Sequence, residues 1–286
     1  MNKVAVVGLG KVGVRLAHRL HNLGWTVKGS NSHSDKVNQL RLQGLDSYFL
    51  QFTPDIQATP NDLEQLFAVN ALVITLPPTQ LLSPIQYEQA VKNAVQMGLD
   101  RGVTQIIFTS STTVLPKRTG QFTEDCVPEA NNPTDQALIN IENYLLNLNH
   151  INVDIIRFGG IVTPYSHPVQ TLATRPLLHN GNTPINLVHI DDCVQALQSL
   201  LETPSGKRCY HLVAPQHPSR AQYYVAMADK WQVNTPQFIC SSDDLQRQIN
   251  GDKICRELNF NYLYPNPFDM LPQSNSRDIK SLNFSQ

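Results

Sequence analysis

The run Gly8-Leu9-Gly10-Lys11-Val12-Gly13 constrains this chain more than any other stretch. Directly before it stand Val4-Ala5-Val6-Val7, a short unbroken apolar run that predicts a strand buried on both faces. Directly after it, Val12, Leu16, Leu20 and Leu23 recur at helical spacing with Arg15 and Arg19 off that side, and Gly24 stands where a helix ends. Trp25–Lys28 then reads as a second strand ending at Gly29. Strand, tight turn, helix and strand within about 30 residues make a βαβ unit. In such a unit the first glycine permits the turn, the second lets a pyrophosphate reach the backbone, and the third lets helix and strand pack closely. The helix start adds free N–H groups and a partial positive charge. Gly8, Leu9, Gly10, Lys11, Val12 and Gly13 are therefore expected to cradle a dinucleotide. The alternative is a glycine turn needed only for packing.

The alternation continues. Strands are expected near Ser47–Leu50, Ala71–Thr75, Gln105–Thr109 and Val153–Arg157, with helices near Asp35–Gln43, Asn61–Phe67, Pro84–Leu99 and Pro133–Leu148. This pattern predicts an α/β fold, a Rossmann-type doubly wound parallel sheet covered by helices on both faces. Residues 161–184 lose the rhythm and read as a loop-rich excursion. A strand and helix follow over Asn186–Leu201, then a strand at Cys209–Val213 and a helix at Arg220–Trp231 capped by Ser219. The expected division is a dinucleotide-binding domain over 1–160, a smaller C-terminal substrate lobe over 161–271 with 186–204 returning to the core, and a polar tail over 272–286.

Which dinucleotide binds turns on the end of the second strand. An NAD site places a carboxylate there to hold the ribose 2′-hydroxyl. No Asp or Glu occurs from Met1 to Ser34, whereas Lys3, Lys11, Arg15, Arg19 and Lys28 do. Ser30, Asn31 and Ser32, with His33 and Lys36, would tolerate or hold a 2′-phosphate, which favours NADP(H) over NAD(H). The plain alternative is that Ser30–Ser34 is a solvated loop. The net charge of −1 gives no electrostatic reason to expect nucleic acid. Five dispersed cysteines without a CxxC fit a reducing compartment. With no signal-like or spanning apolar run, a cytoplasmic protein that does not enter a membrane is expected.

Ile106–Val114 is an apolar strand ending in five consecutive hydroxyls, Thr109-Ser110-Ser111-Thr112-Thr113. Ligands of doubly wound sheets lie just beyond strand carboxyl ends, where hydroxyls can bond a carbonyl or an alcohol. A turn held by side-chain-to-backbone bonds is the alternative. Leu76 and Pro77, at the end of the fourth strand, would wall the cofactor crevice.

At this point the chain resembles a family. The glycine turn at 8–13, Phe108–Val114, Arg157-Phe-Gly-Gly-Ile161 and Asn186-Leu-Val-His-Ile-Asp-Asp192 are similar, in order and spacing, to the extended short-chain dehydrogenase/reductases of the NAD-dependent epimerase/dehydratase group. Tyr210–Val213 and Cys255–Phe260 resemble that family's substrate-lobe segments. The resemblance spans nearly the whole chain to about residue 271. It implies NAD(P) binding with Ser110 at the cofactor, Ser111 as the catalytic serine, and a polar carbonyl or nucleotide-sugar substrate. It also implies a tyrosine 23 to 29 residues after Ser111 with a lysine four further on, the lysine lowering the tyrosine's pKa.

Here the chain departs. The matching helix offers Thr134 and Leu138, and none of the nine tyrosines has a lysine four residues on. A threonine hydroxyl is far too weak an acid to replace a phenolate near neutral pH. The glycine spacing also differs from the GxxGxxG of many extended members, although the binding physics is unchanged. Tyr165 and His167, in the loop after Gly160, are the candidate substitutes; water or Ser111 supplying the proton is another. Asp191-Asp192 is expected to cap a helix rather than bind metal, since no further ligands are spaced to join them. Glu124 and Asp125 read as acid–base candidates or a solvated loop. Two functions stay open: an NADP(H)-preferring oxidoreductase-like enzyme, or a non-catalytic NADP(H)-binding regulatory or interaction protein. A hydroxyacid-type dehydrogenase fits less well, because the chain lacks a long all-helical second half.

Overall fold

Apolar strands too short to be helices alternate with amphipathic helices, so each strand can be buried on both faces only in the middle of a three-layer sandwich. The computed structural model describes residues 2–51, 56–78 and 81–273; most of the expected tail, 274–286, lies outside them. In chain order the elements are β1 (Lys3–Val7), α1 (Lys11–Asn22), β2 (Thr26–Asn31), α2 (Ser34–Leu42), β3 (Asp46–Phe49), α3 (Pro60–Phe67), β4 (Ala71–Ile74), α4 (Pro84–Leu99) and β5 (Gln105–Ser111). Next come β6 (Gly120–Phe122), α5 (Pro133–Leu146), β7 (Asn152–Phe158), β8 (Gly160–Val162), α6 (Pro168–Leu172), β9 (Leu187–His189) and α7 (Ile190–Glu202). The last are β10 (Lys207–Leu212), α8 (Arg220–Lys230), β11 (Arg247–Ile249) and α9 (Asp252–Leu258).

Seven strands form one parallel sheet in the order β3-β2-β1-β4-β5-β7-β10. The order reverses between β1 and β4, which leaves a crevice outside their carboxyl ends. Side-chain alternation splits the core in two. Ala5, Val7, Leu72, Ile74, Ile106 and Phe108 pack toward α4 and α5. Val4, Val6, Val73, Ile107 and Ile156 pack toward α1 and α7. A third cluster, built from Val162, Tyr223, Tyr224, Met227 and Met270, forms the interior of the smaller C-terminal region.

The seven sheet strands and the helices from α1 to α5 fall within a few residues of the positions their periodicity predicts. Of the strands in the pairs β6–β11 and β8–β9, only β9 appears in that reading, as the strand opening Asn186–Leu201. Each strand has three residues, too few for a period, and β6 meets β11 across more than a hundred residues of chain. Short α6 and α9 escape for the same reason.

One backbone contact sets the frame. A Cβ on Gly13 would lie 2.2 Å from the carbonyl oxygen of Gly8, so Gly13→Ala must push α1 away from the end of β1. Chemical denaturation should show it destabilised by about 1–3 kcal/mol, the usual scale for overpacking. A wild-type midpoint would contradict this packing.

Candidate functional site

The glycine turn is closed on two sides and open on the third. Gly8 has φ +106, and a Cβ there would crowd Thr75 Oγ1 at 3.1 Å and Leu76 N at 3.2 Å. Thr75 donates its hydroxyl to Gly8 O at 2.6 Å, tying the end of β4 to the turn. Around Gly10, by contrast, no atom lies within 4 Å of an added Cβ. Gly10 is the N-cap of α1, has no capping side chain, and no acidic residue occupies the first turn. Free N–H groups at that helix start can receive an anion. Lys11 is exposed beside them and Val12 half-buried. The residues present thus fit the pyrophosphate of a dinucleotide, and the open face at Gly10 is the observation that carries the fit.

At the end of β2 the expectation needs correction. Ser30 is only 1% exposed, and its Oγ accepts from Gly8 N at 3.3 Å while its carbonyl accepts from Leu9 N at 2.7 Å. Asn31 donates from Nδ2 to Leu9 O at 2.9 Å and accepts at Oδ1 from His33 N at 3.0 Å. Both side chains are struts that hold the glycine turn against β2. Ser32 and His33 are the exposed groups there, 3.2 Å apart at Oγ and Nδ1. Leu76 stands beside Gly8 and Pro77 is exposed after it, on the crevice rim.

At the end of β5, Ser110 and Ser111 face opposite ways. Ser110, expected at the cofactor, is buried, and its hydroxyl is engaged with Glu142 Oε1 at 2.5 Å rather than turned to the open crevice. Register places Ser110, Arg157 and His211 side by side across β5, β7 and β10. Glu142 of α5 closes this row, with Arg157 Nη2 donating to Oε2 at 2.6 Å and Nε to Oε1 at 3.1 Å. His211 Nδ1 lies 3.2 Å from Asn250 O, which requires the proton on Nδ1 and leaves Nε2 to accept from Arg157 Nη1 at 3.3 Å. Burial, then the neighbouring guanidinium, push the His211 pKa down to about 3.

Ser111 is half-buried, and its Oγ accepts from Thr113 N at 3.2 Å. Among the described residues its hydroxyl proton has no acceptor, so it can be donated outward. Arg247, which no sequence pattern marks, holds this loop in place. Its guanidinium donates to Pro116 O at 2.8 Å, Thr112 O at 2.7 Å and Leu115 O at 3.2 Å.

The two loop candidates separate. His167 is buried: its Nδ1 accepts from Val169 N at 3.0 Å as the N-cap of α6, and its Nε2 donates to Tyr223 OH at 2.7 Å. Burial lowers its pKa to about 4. It therefore cannot reach over a nicotinamide, and that expectation is corrected. Tyr165 is exposed; its hydroxyl bonds Gln273, and the Arg15 guanidinium of α1 lies 5.7 Å from its ring centroid. Where a catalytic lysine would stand, Leu138 is 3% exposed and packed in the core, with Thr134 half-buried one turn earlier.

Asp191 and Asp192 do not cap α7. His189 does, accepting from Asp191 N at 3.3 Å. Asp192 is fully buried and binds the C-terminal segment, accepting from Leu263 N at 2.6 Å and Tyr264 N at 3.2 Å. Burial raises its pKa to about 6. Glu124 accepts from His211 N at 2.8 Å on the outer edge of β10, its pKa raised by burial, while Asp125 is exposed. Among the described residues no group of three or more His, Cys, Asp or Glu is placed to hold a metal ion, and no helix is long and apolar enough to cross a membrane.

The sheet order, the glycine turn and the lobe built after β7 make the Rossmann-type fold that is seen in solved short-chain dehydrogenase/reductases and NAD-dependent epimerases and dehydratases. Solved structures of that fold superpose over most of the chain. A short-chain dehydrogenase/reductase superfamily protein from Agrobacterium tumefaciens with bound NAD is 15% identical, with a TM-score of 0.77 over 94% of this chain and 95% of that one. UDP-glucose 4-epimerase from Thermotoga maritima with UDP-glucose is 16% identical, with a TM-score of 0.75 over 94% and 96%. The dTDP-glucose 4,6-dehydratase of Bacillus anthracis in complex with NAD is 14% identical, with a TM-score of 0.76 over 94% and 94%. No family model matches the sequence. The chain belongs to the family of Protein YeeZ of Escherichia coli (strain K12), to which it is 39% identical over 274 residues, 94% of this chain and 99% of that protein.

The buried histidines make a titration test. His167 is charged below about pH 6.5 when unfolded but only below about 4 when folded. Its contribution to stability is thus present above pH 6.5 and is lost as pH falls, by about 1.4 kcal/mol per pH unit. Asp192, with its raised pKa, acts in the opposite direction, so the informative quantity is a difference. Urea denaturation of His167→Asn, which retains a cap for α6, should show it less stable than wild type at pH 7.5. The gap should close by about 1.4 kcal/mol per unit between pH 6.5 and 4.5; a constant gap would mean His167 is not held neutral.

Proposed function

We propose that this protein binds NADP(H) along the carboxyl edge of the sheet and acts as an oxidoreductase-like enzyme on a polar carbonyl or nucleotide-sugar-like substrate, without a Tyr/Lys pair. The observation that carries the proposal is the open face at Gly10, at the uncapped start of α1. Preference for the 2′-phosphate is supported by the lack of any carboxylate before Asp35, and by Ser32, His33 and the first turn of α2 with Lys36 beside the end of β2. When bound, the nicotinamide would supply or accept a hydride. Ser111, whose oxygen is already oriented by Thr113 N, would donate to the substrate oxygen. Tyr165 is exposed and, with Ser111 and water, is a candidate proton source. The structural relatives that carry UDP-glucose in their solved forms support a nucleotide-sugar-like substrate.

A second reading is supported by one observation. Leu138 in the core and Thr134 above it leave the usual proton-transfer position without an acid, which suits a protein that binds NADP(H) and reports its level without turnover.

Two measurements decide between these. Gly10 has ordinary extended φ of −93 and free space around it, so Gly10→Val should keep the wild-type melting temperature yet lose NADPH binding at least about a hundredfold in fluorescence titration. Retained binding would remove the site. Wild-type protein should bind NADPH more tightly than NADH, and the reverse order would refute the 2′-phosphate argument. With a panel of carbonyl substrates, steady NADPH consumption that falls about a hundredfold or more in Ser111→Ala supports the enzyme. Tight binding with no turnover on any substrate supports the non-catalytic reading.

A further inference from the structure

Outside the crevice, α1 and α7 pack against each other and leave a surface groove of about 490 Å³ between them. Its walls carry Arg15, His18 and Arg19 from α1 and Asp191 and Gln198 from α7, and exposed Leu23 lines it as well. The charge is one-sided. The first 34 residues contain no Asp or Glu, while Lys11, Arg15 and Arg19 follow one another along α1. Asp191 is the one carboxylate lining the groove, and it meets Arg15 at 3.5 Å with about a third of each side chain exposed. Arg19 is bonded to the neutral amide of Gln198 and to no carboxylate among the described residues. His18 titrates below its ordinary range because of burial and of the neighbouring His21. Two guanidiniums against one carboxylate, in a groove of small-molecule size, present the kind of donors that bind phosphate oxygens in pairs.

We propose that the α1–α7 groove is a second ligand site, which takes a small phosphate- or pyrophosphate-bearing molecule, its phosphoryl oxygens held by Arg19, Arg15 and His18. This site is separate from the glycine turn and does not rest on the function proposed above. Leu23 gives the remainder of such a ligand an apolar surface to lie on.

The test uses inorganic pyrophosphate as the probe, titrated by calorimetry into full-length protein already saturated with NADPH, so that the crevice is filled. If that saturation cannot be reached, Gly10→Val serves in its place. The expected result is saturable binding that weakens about tenfold in Arg19→Gln. A larger loss should appear in His18→Gln/Arg19→Gln, with melting temperature and NADPH affinity unchanged in both variants. Absence of saturable binding overturns the proposal, as does binding that persists in both variants. Binding that disappears on adding NADPH assigns the anion to the crevice and also overturns it. Vesicles of phosphatidylcholine with phosphatidic acid are run in parallel. Co-sedimentation lost in Arg19→Gln, without pyrophosphate binding, would make the groove a membrane contact and refute a small-molecule site.

Discussion

The carboxyl edge of the sheet is organised by the contact of Gly13 with the backbone of Gly8. With no room for a Cβ between them, α1 starts directly over the end of β1, and its uncapped N–H groups face the crevice rather than a side chain. Other bonds reinforce that position. Thr75 fixes Gly8 from β4, and Ser30 and Asn31 fix Gly8 and Leu9 from β2. Three strands thus converge on one turn. The partial positive charge of a helix start falls off within about its first turn, so a shift of α1 by even a methyl's width would weaken whatever anion it holds. Using Ser30 and Asn31 as struts has a further consequence. Residues at that strand end cannot both brace the turn and wrap a ribose, and the exposed polar groups pass to Ser32 and His33.

A second set of polar groups lies one layer below the crevice. Ser110, Arg157 and His211 form a single row across three neighbouring strands, with Glu142 above them. On the opposite face of the same strands, Arg208 and Asp154 stand directly across from each other and are joined at 2.6 Å. Ion pairs buried this deeply add little net stability compared with apolar packing, yet breaking one partner leaves a charge stranded at a cost of about 3–5 kcal/mol. Their effect here is on register. A slip of β10 by one residue against β7 would part Arg208 from Asp154 and His211 from Arg157 at once and turn every side chain of β10 to the wrong face. The strand that closes the sheet is therefore fixed in place, and with it Asn250 and the short β11 that carries Arg247.

What could be read in advance follows from range. The glycine turn, the seven sheet strands and the helices between them are local patterns, and their periods are long enough to recognise. The hydroxyl run at 109–113 was legible as the end of a strand, but not which of its members faced inward. Alternation along β5 separates Ser110 from Ser111, and that parity could have been counted from Ile106 and Phe108, which share the face of Ser110. His167 was misleading because a histidine in an aperiodic loop gives no sign of burial. Its partners Tyr223 and Trp231 come from α8 and the residue after it, more than fifty positions away. Asp192 looked like a helix cap because its real partners are main-chain N–H groups at 263 and 264, and backbone donors leave no mark in a sequence. Arg247 was invisible for the same reason, since its three acceptors are carbonyl oxygens.

The crevice retains one half of a familiar arrangement and lacks the other. Ser111 is held by a backbone N–H with its own proton free, as a group that orients a substrate oxygen should be. Nothing matches the acid and cation that would accompany it. Leu138 does not merely lack a charge: it is part of the packing between α5 and the sheet, so a lysine introduced there would enter an apolar interior that disfavours its charged form. Regaining the missing pair would require repacking α5, not a single substitution. Arg157, which meets α5 at Glu142, is buried and already bound there. In the function proposed above, chemistry at this edge would rest on orientation by Ser111 and on the cofactor's own reactivity, with the exposed Tyr165 or water as the proton source. The same geometry serves a protein that only holds its dinucleotide, because closing the turn around Gly10 depends on Gly8, Gly13 and Thr75 and makes no use of the missing acid.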